Sequence, residues 1–143
     1  LGGVARCAVR HHRLCTWGPD TGIPSNRVHV MRTDSIGVLQ HGVTLGIETF
    51  NAFKAELNWT ADKPDKVICH QVGSSHQRTI LESIGLDESK DFSTYRYLGN
   101  IGTVSLPITA AIADERGFLQ PGDLVGFLGI GSGLNCLMLG LQW

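Results

Sequence analysis

The feature that most constrains the fold is an alternation between short apolar runs and longer segments in which apolar residues recur every three or four positions. The longest periodic segment covers residues 36–57, and a short β-branched run at residues 67–69 follows it. Steps of three and four place apolar side chains on one side of a helix, whereas a short apolar run between turns is typical of a buried strand. The alternation therefore predicts an α/β fold.

The complete predicted order is strand, helix, strand, helix, strand, helix, strand, strand. The strands are predicted at residues 3–9, 66–70, 92–99, 124–130 and 135–143, and the helices at 36–57, 74–84 and 103–117. Helices between strands favour a mixed, mostly parallel sheet that they cover. The Gly131-Ser132-Gly133 stretch is a hairpin signal, so the last strand should run antiparallel to the one before it.

Residues at the predicted helix ends are typical of helix caps. Asp34 or Ser35 can cap the first helix. Ser74 with Gln77 matches a capping box for the second helix, and Gly85 suits its C-terminal end. These signals set the limits of both helices.

Composition and charge exclude several classes of function. The chain has 143 residues and a formal net charge of -1, so it offers no basic field for nucleic acid. No apolar run approaches the roughly 20 residues of a membrane-spanning helix, and no signal peptide is evident. The size predicts one domain over residues 1–143, and the scattered cysteines favour a reducing, cytoplasmic setting.

Cysteine and histidine residues near the N-terminus raise the question of a metal site. A zinc site from Cys7, His11, His12 and Cys15 is conceivable, but a second ligand pair at the usual spacing is absent from the sequence. We therefore predict no metal and no bound cofactor. The "GIGSG" stretch at residues 129–133 resembles a phosphate-binding loop, but the segment after it is typical of a strand, so a dinucleotide site is rejected.

Polar residues follow three of the predicted strands, at the edge of the sheet where α/β proteins bind ligands. They are His70, Asn100 and the 131–133 turn. Taken alone, His70 is more often a satisfied strand-end residue than a working imidazole, and Asn100 is a common turn residue. Cys69 is a poor nucleophile for His70, because adjacent residues of a strand face opposite sides.

Four motifs resemble one known family. "HQVGSSH", "GNIGTVSLPITAAI", "QPGDLVGFLGIGSGLNC" and the terminal Trp143 are similar to the C-terminal half of ketoacyl synthase III enzymes of the thiolase superfamily. The use of "HQV" and "LGIGSGLNC" favours the OleA type, the long-chain acyl-CoA condensing enzymes of bacterial olefin biosynthesis. The resemblance covers the whole chain.

The resemblance implies a fold and a mechanism. The fold would be one βαβαβαββ half of a five-layer α-β-α-β-α enzyme, usually a homodimer. The nucleophilic cysteine would lie in an N-terminal half, so this chain alone should be inactive, and its start at Leu1 suggests a cut through a larger fold. His70 and Asn100 would donate hydrogen bonds to a thioester carbonyl oxygen. The backbone N–H of Ser132 would join the oxyanion hole, and Gly131 and Gly133 would expose backbone to the substrate.

The substrates implied are acyl-CoA or acyl-carrier-protein thioesters, and two alternatives stay open. The first is a decarboxylating β-ketoacyl-carrier-protein synthase III of fatty acid or polyketide synthesis, which would use the same His70 and Asn100. The second is a non-catalytic partner subunit that shapes the acyl pocket of a heteromeric enzyme. The presence of both polar residues lowers the weight of the second reading.

Overall fold

The computed structural model describes residues 4–6, 15–16, 32–131 and 134–143, which form six strands and four helices. The strands are β1 (Val4–Arg6), β2 (Cys15–Thr16), β3 (Arg32–Thr33), β4 (Lys66–Cys69), β5 (Leu124–Gly131) and β6 (Asn135–Gln142). The helices are α1 (Ser35–Leu57), α2 (Ser74–Ile84), α3 (Tyr95–Leu98) and α4 (Ser105–Glu115). Single 3-10 turns lie at Glu88–Lys90 and Gly102–Val104.

The main sheet has four strands in the order β1-β6-β5-β4. β4 and β5 pair in parallel, whereas β6 runs antiparallel to both of its neighbours, β5 and β1. Three of the four strands therefore share one direction, which confirms the prediction of a mixed sheet with an antiparallel last strand. β2 and β3 form a separate two-stranded pair.

The two faces of the sheet carry separate apolar clusters. On one face, α1 and α2 cover a cluster that includes Phe50, Phe53 and Leu81 together with Val67 and Cys69 of β4. On the other face, Ile68 of β4 joins a cluster with residues of α4. The alternation of β4 residues between the two clusters is the period of two that a buried strand requires. The predicted apolar run at residues 67–69 is thereby confirmed as a strand buried on both sides.

Glycines let α1 approach its neighbours closely. A Cβ atom added at Gly46 would lie 2.6 Å from Ile80 Cδ1 of α2, and one at Gly42 would lie 3.4 Å from Ile130 Cδ1 of β5. Gly140 of β6 is the tightest of these positions, because an added Cβ would meet Leu57 Cδ1 at 2.4 Å. Close packing offsets the intrinsic cost of glycine inside a helix or strand.

The helix caps were predicted with mixed success. Asp34 caps α1 by accepting a hydrogen bond from Gly37 N at 2.9 Å, and Gly85 ends α2 in the left-handed conformation. The capping box was wrong, because the N-cap of α2 is Gly73, which has no side chain to cap the helix, and Ser74 is already the first helical residue. Gln77 instead turns inward and donates to Asp91.

The predicted strand at residues 92–99 was also wrong. Among the residues that the structure describes, only an isolated parallel bridge between Val67 and Asp91 extends the sheet beyond β4, and α3 follows it. The Gln71 side chain accepts hydrogen bonds from the backbone N–H groups of Thr94 and Tyr95, the first groups of α3. This contact favours a helical start over the strand that the aromatic and β-branched residues would otherwise prefer.

Candidate functional site

His70 directly follows β4, at the carboxyl edge of the parallel pair β4–β5. Its backbone N–H donates to Leu128 O of β5 at 2.9 Å, which continues the strand ladder by one residue. The side chain is partly buried, and this burial lowers the pKa of the imidazole below its ordinary value. A neutral imidazole carries one N–H group, so His70 can donate one side-chain hydrogen bond near neutral pH.

Gln71 is fully buried beside His70, and every polar atom of its side chain has a partner. Oε1 accepts from Thr94 N at 2.8 Å and from Tyr95 N at 3.1 Å, while Nε2 donates to Cys69 O at 2.7 Å. Because the two backbone partners of Oε1 are donors and Cys69 O is an acceptor, the amide orientation is fixed. One side chain therefore joins the end of β4 to the start of α3.

Asp91 forms a second connection, between the end of β4 and α2. Its Oδ1 accepts from Cys69 N at 3.3 Å and its Oδ2 accepts from Gln77 Nε2. Burial outweighs these hydrogen bonds and raises the pKa of the Asp91 carboxyl to about 7. Burial, followed by the neighbouring Asp91 carboxylate, raises the pKa of the Cys69 thiol well above its ordinary value. Cys69 is thus a buried thiol that keeps its proton, in agreement with the prediction that it is a poor nucleophile.

A third connection is the hydrogen bond between the hydroxyls of Thr94 and Thr109, which lie 2.6 Å apart. Both side chains are buried, and Thr109 belongs to α4. We call these polar residues behind His70 the strand-end network: Gln71, Gln77, Asp91, Thr94 and Thr109. Together they connect β4, α2, α3 and α4 through hydrogen bonds.

Asn100 follows α3, and not a strand as the sequence predicted. Gly99 and Gly102 on either side of it have φ values of 64° and 68°, which favour glycine. Asn100 Oδ1 accepts from Gly102 N at 3.0 Å, so the backbone donor fixes which end of the amide is the oxygen. The Nδ2 group, a donor, is left for a partner outside this turn. Asn100 itself is exposed.

The third predicted site element is only partly described. Gly131 ends β5 and is exposed, and a Cβ atom added there would meet nothing within 4 Å. Ser132 and Gly133 lie outside the described residues. Since β4 and β5 are parallel neighbours, His70 and Gly131 lie at the same edge of the sheet.

Within the described ranges, no group of three or more His, Cys, Asp or Glu residues could hold a metal ion. Cys7, His11 and His12, from the zinc reading, lie outside those ranges.

Apolar side chains are exposed in the segments that flank Asn100. Tyr97 is 87% exposed and Val104 is 50% exposed, and three further residues share this property: Leu98, Ile101 and Ile108. We call these five residues the apolar rim. Exposed apolar residues grouped in this way mark a surface that another chain segment or an apolar ligand can cover.

Two of the predicted site residues supply neutral hydrogen-bond donors, His70 at the sheet edge and Asn100 in the turn after α3. His70 offers an imidazole N–H beside the buried hydrogen bonds of Gln71, and Asn100 offers an amide Nδ2 in an exposed turn that its own Oδ1 holds. Such donors can stabilise a developing oxyanion. No helix of the described part of the chain is long and apolar enough to cross a membrane.

Comparison with known proteins identifies relatives of this chain. The family described as 3-oxoacyl-[acyl-carrier-protein (ACP)] synthase III C terminal matches residues 55–143. The chain is 50% identical over 143 residues to an acyl-CoA:acyl-CoA alkyltransferase of Shewanella oneidensis. This match covers 100% of the chain and 41% of that protein. A relative of the same name from Xanthomonas campestris is 37% identical over 142 residues and is covered to 39%. The chain therefore spans about two fifths of the length of these relatives.

Solved structures give the same result for the fold. A crystal structure of Xanthomonas campestris OleA matches 99% of the chain and 39% of its own chain, with a TM-score of 0.83 at 37% identity. FabH from Pseudomonas aeruginosa matches with a TM-score of 0.82 at 19% identity and shares the fold. The predicted thiolase fold and the predicted likeness to OleA are thereby confirmed. The chain belongs to the family of C-terminal domains of 3-oxoacyl-[acyl-carrier-protein] synthase III enzymes.

Proposed function

We propose that this chain is the C-terminal half of a cytoplasmic acyltransferase that condenses two fatty acyl-CoA thioesters to a β-ketoacyl product. The observation that carries the proposal is His70, a neutral donor at the sheet edge that it shares with the open end of β5, together with the Nδ2 donor that Asn100 offers in the turn after α3. The names of the two most similar relatives reported above support acyl-CoA as the substrate class.

In the proposed mechanism, a cysteine of the N-terminal half first takes an acyl group from one thioester and releases CoA. The second thioester loses an α-proton to a base of that half and becomes an enolate. The His70 N–H and the Asn100 Nδ2 group donate to the enolate oxygen, which carries the developing negative charge. The α-carbon then attacks the acyl-enzyme carbonyl, the backbone N–H of Ser132 donates to the resulting oxyanion, and the cysteine leaves as a thiolate.

The N-terminal half is also the proposed partner of the apolar rim. Exposed apolar residues flank Asn100 along the chain, and covering this segment would exclude water from its donor. We further propose that the complete enzyme is a homodimer, that residues 1–143 act as one domain, and that no cofactor or metal takes part. In this proposal the chain alone is inactive.

The test uses the full-length protein with lauroyl-CoA as the probe. His70→Ala and Asn100→Asp should each lower the rate of condensation by about 10²–10³-fold. Asn100→Asp is informative because its carboxylate still accepts from Gly102 N, so the turn is kept while the donor is lost. His76→Ala and Asn51→Ala, which change the same residue types elsewhere, should leave the rate near that of the unmodified enzyme. Condensation within twofold of normal for His70→Ala and Asn100→Asp would contradict the proposal.

A decarboxylating synthase remains the second candidate, because relatives named β-ketoacyl-[acyl-carrier-protein] synthase III are also matched, one from Clostridium tetani at 32% identity over 77 residues. The matches to the alkyltransferases extend over nearly the whole chain, which favours two acyl-CoA substrates. Offering malonyl-carrier-protein in place of the second lauroyl-CoA separates the two. Faster product formation with carbon dioxide release would support the second candidate.

A further inference from the structure

We infer that Gln71 is the positioning residue that holds His70 and the segment carrying Asn100 in one geometry. This inference rests on the proposed function of those two donors. Gln71 is fully buried at the sheet edge, and its side chain makes three hydrogen bonds, all to backbone groups. A buried polar side chain whose oxygen and nitrogen both have hydrogen-bond partners fixes the relative position of the segments that it joins.

The bonds of Gln71 hold His70 from behind. Its Nε2 donates to Cys69 O, so the side chain reaches back past His70 to the residue before it. The His70 N–H is itself fixed to Leu128 O, and Cys69 N donates to Asp91 Oδ1. The backbone of Cys69 and the N–H of His70 are therefore hydrogen-bonded to groups of the fold.

The same side chain holds the start of the segment that leads to Asn100. Its Oε1 accepts from Thr94 N and Tyr95 N, which begin the four-residue helix α3. A helix of this length has little stability of its own, because nucleation is unfavourable and few bonds follow it. Asn100 comes two residues after α3 ends, so a shift of the α3 start would be passed on to its amide.

Three variants of the full-length enzyme test the inference with lauroyl-CoA. Gln71→Met keeps the size and removes all three hydrogen bonds, so kcat for condensation should fall by about 10–100-fold. The release of CoA in the first acyl transfer should stay near normal, because that step does not use the His70 and Asn100 donors. Gln120→Met is the control, since it changes a glutamine of the turn before β5 that lies outside the strand-end network and donates to Gly117 O. It should leave condensation within about threefold of normal.

Gln71→Glu supplies a rescue experiment. A protonated glutamic acid can donate to Cys69 O and accept from Thr94 N, which reproduces the glutamine pattern, whereas the carboxylate would oppose Cys69 O. Burial favours the protonated form. The condensation rate of this variant, relative to the unmodified enzyme, should therefore rise as the pH is lowered from 8 to 6. A purely structural role would give no such pH dependence.

Hydrogen exchange provides a readout that does not depend on activity. In Gln71→Met the amides of Thr94 and Tyr95 lose their acceptor and should exchange about tenfold faster or more. Unchanged exchange, or a condensation rate within twofold of normal, would overturn the inference, as would equal losses of activity in Gln71→Met and Gln120→Met. If His70→Ala and Asn100→Asp are also fully active, the proposed function fails as well. If only Gln71→Met is active, the failure belongs to this inference alone.

Discussion

Two buried regions of the molecule are held together by different kinds of contact, one apolar and one polar. The α1 interface (Phe50, Phe53, Leu57, Trp59 and Gly140) is apolar, and its aromatic rings pack on one another. The strand-end network instead buries amides, hydroxyls and a carboxyl that bond to one another and to backbone groups. Apolar contact is non-directional and stabilises the fold, whereas hydrogen bonds fix positions and contribute less net free energy. The comparison implies that changes in the first region act on stability and changes in the second act on geometry.

The largest expected loss of stability comes from Phe53→Ala. Phe53 is fully buried and its ring contacts those of Phe50 and Trp59 at centroid distances of 6.0 Å and 5.5 Å. Truncation leaves a cavity and should lower the free energy of unfolding by about 3–5 kcal/mol. Urea denaturation of the full-length protein measures this loss. The kcat of the remaining folded enzyme should be near normal, and a fall as large as that of His70→Ala would break the proposed separation.

Gly140→Ala tests the same interface by adding an atom. The new Cβ would lie 2.4 Å from Leu57 Cδ1, 2.9 Å from Trp59 and 3.2 Å from Phe53. Overpacking against three large side chains should cost about 3 kcal/mol, at the upper end of the usual range. Gly46→Ala is the control: its Cβ meets only Ile80 Cδ1 and Cγ1, and the gain in helix propensity of about 1 kcal/mol offsets the clash. Equal losses in the two variants would contradict the close-approach explanation.

Asp91→Asn tests the strand-end network through the pH dependence of the free energy of unfolding. The pKa of Asp91 is about 7 in the fold and near 3.8 when unfolded. The folded protein therefore keeps a proton that the unfolded chain releases, and stability falls as the pH rises from about 4 to 7. The variant lacks this loss, so its stability relative to the unmodified protein should increase by about 2 kcal/mol between pH 5 and pH 8. Denaturation at both pH values measures the difference.

The structure also suggests how the new amide would be accepted. Gln77 Oε1 is buried and has no hydrogen-bond partner among the described residues, so a turn of the Gln77 amide would let it accept from the amide that replaces the Asp91 carboxyl. Asp87→Asn is the control. Hydrogen bonds from Ser89 lower the pKa of Asp87, so its contribution is lost only at more acidic pH and is constant from pH 5 to 8. An equal slope in both variants would contradict the role of Asp91 burial.

The apolar half of this comparison was predictable from the sequence, and the network was not. The periodicity of apolar residues predicted the helix at residues 36–57 and the strand at residues 67–69. Apolar residues of both elements lie in one buried cluster. His70 and the hairpin after β5 were found for the same reason, since both end apolar runs. Their roles in catalysis came from resemblance to a family and stay predictions.

The network escaped because its hydrogen bonds join residues far apart in the chain. Gln71 and Thr94 are separated by 23 positions, and Gln77 and Asp91 by 14, so no local pattern connects them. The errors at residues 92–99 and at the supposed capping box have this common cause: Gln71 begins a helix in a strand-like segment, and Gln77 bonds Asp91 rather than its own N-cap. The available signal was a glutamine two positions after a wholly apolar run, where a buried amide requires partners.

The smallest expected change in stability comes from an exposed ion pair, which can be compared with a nearby lysine that bonds backbone carbonyls. Arg78 Nε lies 3.3 Å from Glu88 Oε1, but the two side chains are 65% and 58% exposed, so Arg78→Ala should change the free energy of unfolding by less than about 0.5 kcal/mol. Lys90, in the same 3-10 turn as Glu88, donates to Asp62 O at 2.8 Å and to Pro64 O at 2.7 Å. Lys90→Met removes these bonds and should cost about 1 kcal/mol, because backbone carbonyls are fixed partners whereas an exposed carboxylate is not. Urea denaturation at low and high salt tests both. A larger loss for Arg78→Ala than for Lys90→Met would show that exposed charge, rather than bonding to fixed backbone groups, determines how polar contacts hold this fold.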